Sequence, residues 1–149
     1  MYKALFFLIM SLGFMTQATQ PVKKLDTSEW MKKEAKLRNA LSEIRLAIYS
    51  YKYDCECGKI GALDRVANDE CYPGNLEYLV QGIAIPNSKE IKIYLKAIPV
   101  DPMTGKSEWG HKPPFRTVSP DPEDQPGSIA QVYSLSEETA INRTKYSDW

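Results

Sequence analysis

Tyr94-Leu95-Lys96-Ala97-Ile98-Pro99-Val100-Asp101-Pro102-Met103-Thr104-Gly105 is the stretch on which the fold turns. Pro99 and Pro102 set φ to about −65° on either side of Asp101, and each pushes the residue before it to extended backbone. No regular helix passes through such a segment. Thr104-Gly105 then reads as a turn. The stretch holds no nucleophile, metal cage or phosphate loop, so it points to a structural subunit rather than an enzyme.

Toward the C-terminus the pattern is that of a small antiparallel sheet. Residues 107–110 and 115–118 are candidate strands, with Pro113-Pro114 between them. Residues 119–128 carry three prolines, three acids and a glycine, which is the composition of a solvated loop. Residues 131–136 are the clearest strand, because Val132 and Ser134 alternate with Tyr133 and Leu135. Tyr146 and Trp149 end the chain as large anchors that favour burial.

Toward the N-terminus, residues 83–96 mix β-branched and apolar side chains, and 89–96 fit a strand or a short helix equally well. Asn75 is placed to cap a short helix over 76–80. Residues 54–73 contain Gly58, Gly61 and all three cysteines and read as an irregular loop, with a helical turn near 62–67. Residues 28–53 contain neither Pro nor Gly. Their apolar residues Trp30, Leu37, Leu41, Ile44, Ile48 and Tyr51 are spaced by three, four or seven and share one helical stripe. Asp26 and Glu29 resemble a capping box at its start. At 1.5 Å per residue this helix is roughly 39 Å long and dominates so small a domain. The expected fold is therefore α+β: a long N-terminal amphipathic helix packed on a small antiparallel sheet of about three strands.

The chain has 149 residues, which suits one domain with a short extra segment. Lys+Arg and Asp+Glu both total 19, and a chain with no basic surplus argues against nucleic-acid binding. Lys3 precedes an apolar run over residues 4–15, and small and polar residues follow it. The run is short for a membrane span, which takes about 20 residues. Residues 1–18 are expected to be a signal peptide cut after Ala18, or else a short N-terminal anchor touching the inner membrane through residues 4–15. Residues 19–27 form a linker and 28–149 the folded headpiece. Export makes the protein periplasmic, and in an oxidising compartment two of the three cysteines are expected to pair. Cys57 with Cys71, or Cys55 with Cys71, closes a loop of about 15 residues, worth ~3 kcal/mol by chain entropy. A metal or redox reading of the trio lacks a fourth ligand.

Catalytic signals are sparse. The single histidine, His111, lies between Gly110 and Lys112-Pro113, a loop setting that suits a surface residue. An enzyme would have to be built on His111 or a cysteine. The acid pairs Glu123-Asp124 and Glu137-Glu138 read as solvated charge. No cofactor is indicated. Calcium is the one ion with candidate ligands: it takes six to eight oxygens, and Glu137, Glu138, Asn142 and Asp148 could supply some if the final loop folds back. Their spacing is not that of an EF-hand.

Five segments together carry a family resemblance. Leu37-Arg38-Asn39-Ala40-Leu41-Ser42-Glu43-Ile44-Arg45-Leu46-Ala47-Ile48-Tyr49-Ser50-Tyr51 resembles the first helix of the G-subunit-like pseudopilins of type II secretion, within the type IV pilin superfamily. Cys71-Tyr72-Pro73 with Asn75-Leu76-Glu77-Tyr78-Leu79-Val80 is similar to their tyrosine-proline turn and second helix. The stretch 94–105 with Trp109-Gly110 is similar to their link into the sheet. Val132-Tyr133-Ser134-Leu135 and Ala140-Ile141-Asn142-Arg143-Thr144-Lys145-Tyr146-Ser147-Asp148-Trp149 resemble their last strand and closing loop. The resemblance spans about residues 30–149. It implies a pilin-like headpiece, a non-catalytic structural subunit of a pseudopilus or pilus-like fibre, other pseudopilins or secretion-system proteins as partners, and calcium in the closing loop. One departure is clear. Gly13-Phe14-Met15 has the look of the family's cut site, but the apolar run precedes it and Ala18 stands where a glutamate is usual. Processing and polymerisation by the family's ordinary route are therefore not expected, and a soluble periplasmic binding module with a pilin-like head is the alternative.

Overall fold

The computed structural model describes residues 27–60, 71–114 and 128–149. It is α+β, and one long helix organises it. Helix α1 runs over Thr27–Glu56, 30 residues. Its buried face is Leu37, Leu41, Ile44, Ile48, Tyr51 and Cys55, with Ala40 and Ala47 beside it. Each of the large side chains contributes about 1.5–3 kcal/mol on burial. Trp30, at the head of the same stripe, is only half-buried.

The helix runs three residues beyond the expected end. It stops where the backbone turns left-handed at Gly58, φ 70°. The Lys59 amide donates to the Asp54 carbonyl at 2.8 Å and the Gly58 amide to the Cys55 carbonyl at 2.9 Å. This pair of bonds is a Schellman ending, which a glycine permits without strain. Asp54 and Cys55, expected in a loop, are thereby placed on the buried side of the last turn.

Helix α2 (Glu77–Gln81) follows. Asn75 Oδ1 accepts from the Tyr78 amide at 3.0 Å, as expected of it, but the helix begins one residue later than expected, with Leu76 at its N-cap. Strands β1 (Ile83–Ala84) and β2 (Ile91–Lys92) form an antiparallel pair in which Ile83 faces Lys92. Asn87, φ 61°, makes the turn between them. The ambiguous segment 89–96 is thus a short strand followed by irregular chain. The amides of Tyr94 and Leu95 both donate to the Leu79 carbonyl, at 3.0 and 2.9 Å, tying that chain to α2.

Strands β3 (Gly110–Lys112) and β4 (Gln131–Tyr133) form a second antiparallel pair, in register Gly110–Tyr133, His111–Val132, Lys112–Gln131. A three-stranded sheet is therefore corrected to two separate two-stranded ladders among the described residues. Strand β3 begins where the expected strand 107–110 ended. The candidate strand 115–118 and the helical turn at 62–67 lie outside the described residues. Strand β4 is shorter than the alternation of 131–136 suggested, for a local reason. Ser134 Oγ accepts from the Ser136 amide at 3.1 Å, and Ser136 Oγ from that of Glu138 at 3.3 Å. Side chains that bond their own backbone two residues on draw it away from ladder pairing. A single core joins the α1 stripe to Leu79, Ile83, Leu95, Trp109, Val132 and Tyr146.

No helix among the described residues is long and apolar enough to cross a membrane. Residues 4–15, the cleavage site and the Asp26 cap lie outside the described residues.

Candidate functional site

Three buried carboxylates mark where chain segments are locked together. Glu34 sits on the buried stripe of α1. Its Oε1 accepts from the Ile141 amide at 2.8 Å and from the Tyr146 hydroxyl at 3.0 Å. Its Oε2 lies 3.4 Å from Arg38 Nη2. Trp30 Nε1 donates to the Tyr146 hydroxyl oxygen at 2.8 Å. The closing loop is thus bolted to the first turns of α1. Burial and then the bond to Glu34 push the Tyr146 phenol up to about 12.

The rest of the loop reinforces this clamp. The Tyr146 and Trp149 rings meet edge to face at 5.0 Å. The Arg38 guanidinium stacks 4.2 Å over the Trp149 ring. Arg45 Nη2 donates to the Val132 carbonyl at 2.9 Å and also to that of Trp149. Strand β4 and the chain end are therefore both fastened to the middle of α1.

Asp101 is fully buried in the stretch that directed the fold. Its Oδ1 accepts from the Met103 amide at 2.8 Å and its Oδ2 from the Ser134 hydroxyl at 2.6 Å. The Gly105 amide closes the turn onto the Asp101 carbonyl at 2.8 Å. The Pro-Asp-Pro link and the end of β4 are one unit through this carboxylate.

Asp54 is the third. It receives Lys59 at 3.2 Å, Lys92, and the Tyr94 hydroxyl at 3.1 Å. Burial alone would raise its pKa, but the bonds from Lys92, Lys59 and Tyr94 together hold it below the ordinary carboxylate value. Burial, and then the Asp54 charge, raise that of Tyr94. Next to this cluster Cys55 and Cys71 form a disulfide, Cα–Cα 5.4 Å. Cys57 is exposed and unpaired with another cysteine. Of the two pairings open from sequence, the helix decides between them. Cys55 lies four residues after buried Tyr51 on the same face, whereas two further residues turn Cys57 by about 200° to solvent.

The calcium candidates do not form a cage as placed. Glu137, Glu138 and Asp148 are exposed. Asn142 Oδ1 already accepts from the Thr144 amide at 3.1 Å and its hydroxyl at 2.7 Å. The loop does fold back, with Thr139 bridged to Lys145. Among the described residues no three His, Cys, Asp or Glu side chains gather in one place. His111 is exposed on β3, opposite Val132, and is not in a loop. Glu123 and Asp124 lie outside the described residues.

Sequence reasoning missed Glu34 and Asp54, although a signal existed. Both fall on the apolar stripe of α1, where a lone carboxylate needs a partner. It also missed the surface that lies open. Two clefts of about 570 and 540 Å³ flank Trp149, and both are walled by Arg45. Leu46 and Tyr49 stand exposed at their rims. Compared with protein-family models, curated proteins and solved structures, the chain has no match.

Proposed function

We propose that this chain is a non-catalytic structural subunit of a pseudopilus or pilus-like fibre in type II protein secretion, exported to the periplasm. Its partners on this reading are other pseudopilins or secretion-system proteins. The observation that supports it is the clamp of the closing loop on α1 through Glu34, Tyr146, Arg38 and Trp149. That clamp fastens the closing loop to the helix at several points. A helix so braced, with large apolar side chains left on its back, is suited to assembly, since apolar patches of this kind mark protein contacts. The buried carboxylates are each engaged in holding segments together, which also suits a structural role.

Shearing and fractionation of cells carrying the full chain test this. Recovery in sheared fibres or the inner membrane supports the subunit. Release to the soluble periplasm with Thr19 as the first residue supports instead a binding module that does not polymerise, with the clefts beside Trp149 as its sites. Retention in the cytoplasm with Met1 in place overturns both.

A further inference from the structure

Helix α1 carries a second seam on its back. Met31, Leu46, Tyr49 and Tyr53 are 53%, 64%, 65% and 52% exposed. At about 100° per residue they occupy a sector of roughly 60°, about 140° from the centre of the buried stripe. Leu46, Tyr49 and Tyr53 are spaced by three and four. The same rhythm continued backwards meets Ser42, Asn39 and Ala35, all exposed. Alternating steps of three and four are the a/d pattern by which one helix packs along another. The large residues are knobs, and the small ones leave room for the knobs of a partner.

One edge of the seam carries a row of three cations. Arg38, Arg45 and Lys52 recur every seven residues, each just before an a-type position. The protein holds all three in place: Arg38 over Trp149 and beside Glu34, Arg45 on two carbonyls, and Lys52 over the Tyr72 ring at 5.3 Å and paired with Glu56, an exposed ion pair of the kind that is worth little and can be exchanged for a partner's acid. The other edge, Lys36, Glu43 and Ser50, has no consistent sign. In helix pairs such flanking positions select the partner by charge.

We propose that the back of α1 docks an α-helix of another protein whose flanking positions are acidic. Asn39 and Ser42 in mid-seam argue for a helix over a lipid surface, which gains nothing from polar gaps. A second copy is poorly matched. Laid antiparallel it sets the three cations against their equals, and laid parallel it answers only Arg38, with Glu43. The inference deepens the assembly reading above and rests on it only for the expectation of a partner.

The test uses the full chain and two stapled helical peptides of about four heptads. Both have Leu at a and d; one has Glu and the other Lys at e and g. The acidic peptide is expected to bind with micromolar Kd by titration calorimetry, about tenfold more weakly when salt screens the flank. Combined Leu46→Glu and Tyr49→Glu substitution abolishes binding while the circular dichroism spectrum and Tm stay unchanged, because both side chains are exposed. Equal binding of the two peptides, binding of neither, or binding retained by the double variant overturns the proposal. Sedimentation showing self-association that the same substitutions remove assigns the seam to a second copy and overturns it too. So does binding to phosphatidylglycerol vesicles in place of the acidic peptide. If the peptide binds but no fibre is recovered from cells, the fibre reading falls and this one stands.

Discussion

The Tyr146 hydroxyl donates to Glu34 Oε1 at 3.0 Å across 112 residues of chain, and Trp30 donates to the same hydroxyl from the other side. Because Tyr146 is fully buried and Glu34 nearly so, the closing loop and the head of α1 stand or fall together. Replacing Glu34 by Ala strands the Tyr146 hydroxyl and the Ile141 amide. The expected loss is about 1–3 kcal/mol, the usual cost of orphaning a buried donor, here the Tyr146 hydroxyl. Glu34→Gln keeps an acceptor and loses less. Urea titrations decide it; an alanine variant as stable as the parent would show that the clamp is not a stability element.

Alkaline pH should open the same clamp. Tyr146 is held near 12 in the fold against an ordinary 10.0. The unfolded chain therefore gives up this proton first. The stability associated with it is complete below pH 10 and is lost as pH climbs from 10 to 12, about 2–3 kcal/mol for a shift of that size. Tyr94, also raised, acts in the same direction. Tyr146→Phe should flatten part of the alkaline limb of Tm against pH. An unchanged limb would contradict the buried bond.

Acid acts at the other end of α1. Asp54 is held below its ordinary 3.8 by Lys92, Lys59 and Tyr94. Its contribution is present above pH 3.8 and disappears as pH falls through the depressed folded value. Asp54→Asn is expected to lower stability at pH 7 and to reduce the loss on acidification. Equilibrium unfolding at pH 7 and pH 3 measures both; parallel losses in parent and variant would refute the assignment.

The cysteines should separate cleanly. Cys71→Ser removes a bridge spanning 16 residues and is expected to cost about 3 kcal/mol. Cys57→Ser, at an exposed site, should change stability by less than about 0.5 kcal/mol. Iodoacetamide should label Cys57 alone in the unreduced protein. Non-reduced peptide mapping that joins Cys57 to Cys71 would overturn the pairing.

Gly110 stands opposite Tyr133, and a β-carbon there would come within 2.2 Å of the Tyr133 ring. Gly110→Ala is expected to cost about 1–3 kcal/mol as an overpacked contact. Adding Tyr133→Ala should recover much of the penalty attributed to the clash. A double-mutant cycle with no coupling would show that the two do not constrain each other.

Helix α1 was legible because periodicity is local: steps of three and four put Leu37, Leu41, Ile44, Ile48 and Tyr51 on one side whatever they meet. The turn at Pro99–Gly105 was legible for the same reason, since Pro and Gly restrict or release their own φ. The buried roles of Glu34, Asp54 and Asp101 were not. A carboxylate in sequence looks solvated, and only the arrival of donors from residues 92, 94, 134, 141 and 146 makes its burial affordable. The extent of the strands was also hidden, because ladder pairing competes with the side-chain bonds of Ser134 and Ser136. Likewise the sequence alone determines that α1 has apolar residues on two sides and that two of three cysteines could pair. Tertiary structure decides which apolar side is covered, which cysteine faces inward, and that Leu46, Tyr49 and Tyr53 remain open. The reason is that burial is a relation between distant segments, while helical periodicity belongs to one.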